Sequence, residues 1–223
     1  MRGIPYREAI GSLMYAVLGT RPDISFAVLF LSQFMQNPGR PHWEAVKRVF
    51  RYLKVTKYMN LIIGGMEKGL EVFSDVDWAS QEHWHSISGY IFMMGGGTVS
   101  WSSKKQAIVV LSTTEAEYIT ATHAAKEALW IRMFLAEIAH PLRKPITIHL
   151  DNISAISITK NDEYHPRTKH IDIQYHFIRH SVQENLLNID YVPTADMVAD
   201  MLTKGLPRHK VLHMNQLVGL RSA

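Results

Sequence analysis

The feature that most constrains this 223-residue chain is a single change of hydrophobic period, at Gly64-Gly65 and Lys68-Gly69. Before it, from Pro5 to about Lys57, apolar residues recur at helical spacing, with breaks at Thr20-Arg21-Pro22 and Asn37-Pro38-Gly39-Arg40-Pro41. Three helices are expected there. Pro22 suits the first turn of the second, where a missing N–H is harmless, and Asp23 suits its positive end. In the third, Trp43, Val46, Phe50 and Leu53 make an apolar stripe, while Arg40, Lys47, Arg48, Arg51, Lys54 and Lys57 face a single acid, Glu44. Such a helix is either a solvated face or a phosphate-contacting one, with Lys47, Arg51 and Lys54 as the candidate contacts.

After the glycines the pattern turns to short β-type runs at Leu70–Phe73, Ser88–Met94 and Thr98–Trp101, the last two joined through Gly95-Gly96-Gly97. A long helix is expected from about Thr114 to Ile138, flattened by Ala116, Ala121, Ala124, Ala125 and Ala128 so that it can sit close on a sheet. A strand at Ile146–Leu150, helices near Ile153–Thr159 and Ile171–Gln183, a strand at Leu187–Val192 and a helix near Ala195–Lys204 complete the order. The expected fold is α/β: a βββαβααβα mixed sheet with flanking helices over residues 66–223, preceded by a small helical segment over residues 1–65.

Composition narrows the chemistry. With no cysteine, disulfides and thiolate zinc sites are excluded, so any metal must be held by oxygen or imidazole. No apolar run approaches the roughly 18 residues of a membrane span, and a soluble, intracellular setting, cytoplasmic or nuclear, is expected. The net charge of +4 leans mildly toward anionic partners. There is no G-x-S-x-G and no Gly-rich phosphate loop.

Four acids fall where strand ends and helix starts can converge: Asp75 after the first strand, Glu117 in the first turn of the long helix, Asp151 after the fourth strand and Asp200 in the last helix. Magnesium takes oxygen ligands, and several carboxylates suffice to hold two ions about 4 Å apart for phosphodiester cleavage. Each acid has an ordinary alternative. Asp75 and Asp77 suit a turn, Asp151-Asn152 suits a helix cap, and Asp200 suits an exposed helical position. Thr114 with Glu117 fits a capping box, as does Ser112 with Glu115. His176 and His180, four residues apart, offer a zinc pair as a second-best metal site. Trp78, Trp84 and Trp101 suit either base stacking or packing.

The strings YREAIGSLMYAVLGTRPDISFAV, HWEAVKRVFRYLK, FSDVDWAS, SGYIFMMGGGTVSWSSKKQ, LSTTEAEYITATHAAKEALW, LDNISAI, RTKHIDIQYHFIR and YVPTADMVADMLTKGLP occur in this order across nearly the whole chain. Together they resemble the C-terminal part of the Pol polyprotein of copia-type LTR retrotransposons. The resemblance implies that residues 1–65 end a reverse transcriptase, as its thumb or connection region, and that residues 66–223 form a ribonuclease H domain. It puts the catalytic, metal-binding acids on Asp75, Glu117, Asp151 and Asp200, with two magnesium ions as cofactor and manganese as a substitute. It implies cleavage of the RNA strand of RNA–DNA hybrids during reverse transcription, with the upstream reverse transcriptase as partner. Candidate nucleic-acid contacts are Lys47, Arg51, Lys54, Lys104, Lys105, Arg167, Lys169 and His170. Departures include SQEHWHSISGY after the first acid, Val55 in LKVT and Gly205 in TKGLP. The polymerase Tyr-x-Asp-Asp motif is absent, so no DNA synthesis is expected of these residues. The competing expectation is a catalytically inactive or host-adopted nucleic-acid-binding remnant.

Overall fold

The computed structural model describes residues 3–65, 69–80, 84–160 and 169–222, with the side chains of 158–160 and 169–175 left aside. The helical segment comprises α1 (Tyr6–Gly19), a 3-10 turn (Pro22–Ile24) running into α2 (Ser25–Ser32), and α3 (Arg40–Val55). Pro22 opens the 3-10 turn, in the role that its fixed φ favours. Tyr6, Ile10, Leu13, Val28, Leu31, Val46 and Val49 form the core of this segment. One expectation is corrected here: Val49 is buried beside Val46 and Phe50 is exposed, because the face of α3 that packs runs through Val46, Val49 and Leu53.

The second core lies under a five-stranded sheet of order β4-β3-β2-β5-β6. Its strands are β2 (Glu71–Asp77), β3 (Ile87–Met94), β4 (Gly97–Lys105), β5 (Ile146–Leu150) and β6 (Leu187–Tyr191). β2 pairs antiparallel with β3 and parallel with β5; β3 and β4 are antiparallel, β5 and β6 parallel. This is the ribonuclease H-like arrangement, and α4 (Thr113–Glu137), α5 (Ile153–Lys160), α6 (Lys169–Gln183) and the one-turn α7 (Asp200–Thr203) fall in the expected order. The alanine face of α4 explains its close seat: Ala121, Ala124, Ala125 and Ala128 are fully buried with Val72, Phe92, Ile146 and Ile148. No helix among the described residues is long and apolar enough to cross a membrane.

Three elements were not anticipated from local pattern: β1 (Met59–Leu61), α8 (Arg208–Leu217) and β7 (Leu220–Ser222). β1 and β7 form a separate antiparallel pair, Met59 opposite Ser222 and Leu61 opposite Leu220. The last helix is also shorter than expected; the chain turns through Pro193–Ala199 before α7 begins at Asp200.

One glycine decides how closely α7 approaches the sheet. Gly89 on β3 lies opposite Asp75 on β2, and a Cβ at Gly89 would fall 2.7 Å from the Thr203 methyl and 2.9 Å from the Leu202 Cβ. Gly89→Ala should therefore push α7 outward and lower stability by about 1–3 kcal/mol, the usual scale of overpacking. Thermal melting reads the loss; an unchanged midpoint would show that α7 is held less tightly than its contacts indicate.

Candidate metal centre

Asp75 is the fifth residue of β2, so it sits inside the strand and not after it; β2 continues to Asp77 because it pairs with β3 along its whole length. Its side chain is 1% exposed. Glu117 lies just beyond the first turn of α4, since the helix starts at Thr113, one residue earlier than expected. The N-cap is Ser112, whose hydroxyl accepts from the Glu115 N–H at 3.2 Å, while a Glu115 carboxylate oxygen accepts from the Leu111 N–H at 3.4 Å. Ser112 and Glu115 thus serve the helix end, leaving Glu117 to point inward, where it is 5% exposed. A similar division of labour holds after β5. Asn152 accepts from the Ala155 N–H at 3.1 Å and caps α5, and Asp151 instead receives the Thr194 hydroxyl at 2.8 Å.

Carboxylate oxygens of Asp75, Glu117 and Asp151 all lie within 4.8 Å of one another. One oxygen of Glu117, Oε2, is buried without a hydrogen-bond partner. Burial, followed by the neighbouring Asp75 and Asp151 charges, pushes the Glu117 carboxyl up to about 9. Burial likewise raises Asp75, against the pull of Lys204. An orphaned buried oxygen facing two further carboxylates fits an oxygen-seeking divalent cation.

Asp200, at the start of α7, stands on the other side of Asp75. Lys204 Nζ donates to Asp200 Oδ1 at 2.8 Å and to Asp75 Oδ1 at 3.2 Å, and the Thr203 hydroxyl donates to Asp75 Oδ2. Burial alone would lower the Lys204 ammonium, but Asp75 and Asp200 more than offset this and hold it above the ordinary lysine value. Neither Thr203 nor Lys204 was singled out from the sequence; the signal available was the i,i+4 spacing of Asp200 and Lys204.

No protein-family model matches the chain. It is 46% identical over its whole length to the retrovirus-related Pol polyprotein from transposon TNT 1-94 of Nicotiana tabacum, covering 17% of that protein. It is 42% identical over 96% of its length to that from transposon RE2 of Arabidopsis thaliana, covering 15%. Over nearly its whole length the chain matches a segment of retrovirus-related Pol polyproteins from copia-type transposons. It spans about a sixth of the length of these relatives. Among solved structures, it is similar to LC11-RNase H1 in complex with RNA/DNA hybrid, with a TM-score of 0.46 and 15% identity, over 60% of this chain and 94% of that one.

The other candidate residues are distributed as follows. Arg51 and Lys54 are exposed on α3, and Lys47 beside them is paired with Glu44 at 2.6 Å. Lys104 and Lys105 are the last residues of β4; Lys104 is exposed, and Lys105 Nζ reaches Gln33 Oε1 at 3.4 Å. Arg167 lies outside the described residues, as do the side chains of Lys169 and His170, which open α6. His176 and His180 are exposed on α6, and the metal-ligand group found among the described residues is the carboxylate one. Trp101 packs with Ile91 and Leu202, whereas Trp78 and Trp84 are exposed, Trp78 donating to the Val110 carbonyl at 3.3 Å.

Proposed function

We propose that this chain cleaves the RNA strand of RNA–DNA hybrids by a two-metal mechanism, as the ribonuclease H activity of a retrotransposon Pol polyprotein. The observation that carries the reading is the partnerless Glu117 oxygen buried beside Asp75 and Asp151. Asp75, Glu117 and Asp151 would hold one magnesium ion, and Asp75 with Asp200 the second; manganese would substitute. Bound there, the ions supply easier deprotonation of water and neutralisation of charge on the phosphate and the leaving oxygen. The chain's own groups set the stage. Thr203 fixes the orientation of Asp75, Thr194 fixes Asp151, and the Ser112–Glu115 cap anchors the turn that presents Glu117. Cleavage would leave a 3′-hydroxyl and a 5′-phosphate. The choice of a hybrid substrate, and of the upstream reverse transcriptase as partner, rests on similarity to the Pol polyproteins. A purified-protein assay on a hybrid with labelled RNA, beside RNA duplex and single-stranded RNA, tests this. Magnesium-dependent cutting confined to the hybrid and lost in Asp151→Asn is expected; an intact hybrid with either magnesium or manganese would leave only the inactive, nucleic-acid-binding reading.

The basic face of α3 is expected to hold the substrate. Replacing Lys47, Arg51 and Lys54 together by alanine should weaken hybrid binding and reduce the log–log salt slope by about one for each lost phosphate contact, with turnover at saturating hybrid similar to wild type. Binding isotherms at several salt concentrations check this, and an unaltered slope would remove α3 from the interface.

A further inference from the structure

The acid cluster has two sides, and the structure treats them differently. On one side, Asp75, Glu117 and Asp151 face one another, Asp151 takes only the neutral Thr194 hydroxyl among the described residues, and Glu117 Oε2 has no hydrogen-bond partner. On the other, the Lys204 ammonium lies between Asp75 and Asp200, at hydrogen-bond distance from both. Asp75 is common to the two sides. Asp200, Thr203 and Lys204 all come from one turn, and Gly89 lets that turn close down on the sheet.

We propose that the Lys204 ammonium occupies the second cation position of this centre, between Asp75 and Asp200, and is the internal counter-ion that a second divalent ion must displace. The inference rests on the metal-centre reading above. It deepens that reading by fixing an order of loading. The first ion enters the Asp75–Glu117–Asp151 side, where Asp75 alone has a lysine partner and Glu117 Oε2 has none. The second meets a site already neutralised by a tethered ammonium and enters only by expelling it, because two cations cannot share a gap between two carboxylates without strong repulsion. Lys204 has somewhere to go. Its side chain is 33% exposed, and a depression of about 190 Å³, walled by Phe26, Ala27, Met201 and Leu206, opens beside it. At low metal concentration Lys204 therefore keeps Asp75 and Asp200 together and the centre singly loaded. The turn stays in place without metal because its carboxylates are never left unpaired.

Calorimetric titration of the metal-free chain with magnesium, with thermal melting in chelator, tests this in wild type, Lys204→Gln and Lys204→Arg. Wild type should bind one ion tightly and a second weakly. Lys204→Gln should melt below wild type in chelator and take its second ion about tenfold more tightly, since the competing charge is gone. Lys204→Arg keeps the charge and should keep the weak second step. If Lys204→Gln folds only with magnesium present, the arginine variant decides: a weak second step supports the inference, and a tight one overturns it. Equal second-step affinity in wild type and Lys204→Gln would overturn the inference while leaving the metal centre standing. Failure of all three proteins to bind magnesium would remove the metal centre and the inference together.

Discussion

Glu117→Gln is expected to reduce hybrid cleavage by about a hundredfold or more, the scale for removing one electrostatic group from a reacting centre, while the metal-free protein becomes no less stable. The two effects separate because the carboxylate has no structural duty: Ser112 and Glu115 cap α4, and Glu117 Oε2 bonds to nothing. Glutamine matches its size without the charge. Stability should also respond to pH in a defined direction. The folded carboxyl lies at about 9, above its ordinary value of 4.5, so the folded state retains a proton that the unfolded chain has released. This contribution is complete below about pH 4.5 and is lost as pH rises toward 9. Metal-free wild type should therefore fall behind Glu117→Gln across that window in melting experiments. Parallel curves for the two proteins, or full cleavage by the variant, would mean that Glu117 is not the buried ligand described.

What the sequence discloses about this centre depends on distance along the chain. The strand and helix order, the alanine face of α4 and three converging acids are readable because they follow from local period and from short motifs. The rival roles for Glu117 and Asp151 are also local, yet only side-chain direction decides between them, and the structure assigns the caps to Ser112 and Asn152. Lys204 and Thr203 were missed for another reason. They meet Asp75 across 129 and 128 residues, and nothing in a short window marks a lysine at a helix end as a partner of a distant strand. The same holds for β1, β7 and the packing of Gly89 beneath α7. Pattern also placed Phe50 inside and left Val49 out, because an apolar stripe two residues wide does not fix which edge is covered.

Asp23→Ala is expected to cost about 3–5 kcal/mol, the penalty for stranding a buried charge. The Asp23 carboxylate is fully buried and takes both the Arg21 guanidinium, at 2.7 and 2.9 Å, and the Tyr52 hydroxyl, at 2.6 Å. Arg21 also reaches the Thr56 hydroxyl at 2.7 Å and lies over the Tyr52 ring, so removal of Asp23 leaves a guanidinium with neutral partners only. Denaturant melts of Asp23→Ala and of the double variant Asp23→Ala/Arg21→Met measure it. The double variant should recover much of the loss, since an apolar side chain has no charge to strand; equal destabilisation of both would show that packing, and not charge, sets the penalty.

The same network reaches across the molecule, with Asn215 on α8 donating to the Tyr52 hydroxyl 163 residues away, next to the pairing of β1 with β7. Closing so long a loop is among the last events expected in folding. During synthesis α1 to α3 are made before the sheet and can assemble their own small core, but Tyr52 and β1 must wait for their partners until residues 208–222 have been made. Until then the Tyr52–Asn215 contact and the β1–β7 pair are both missing, so residues 208–222 act as a late clasp on the end of the basic helix.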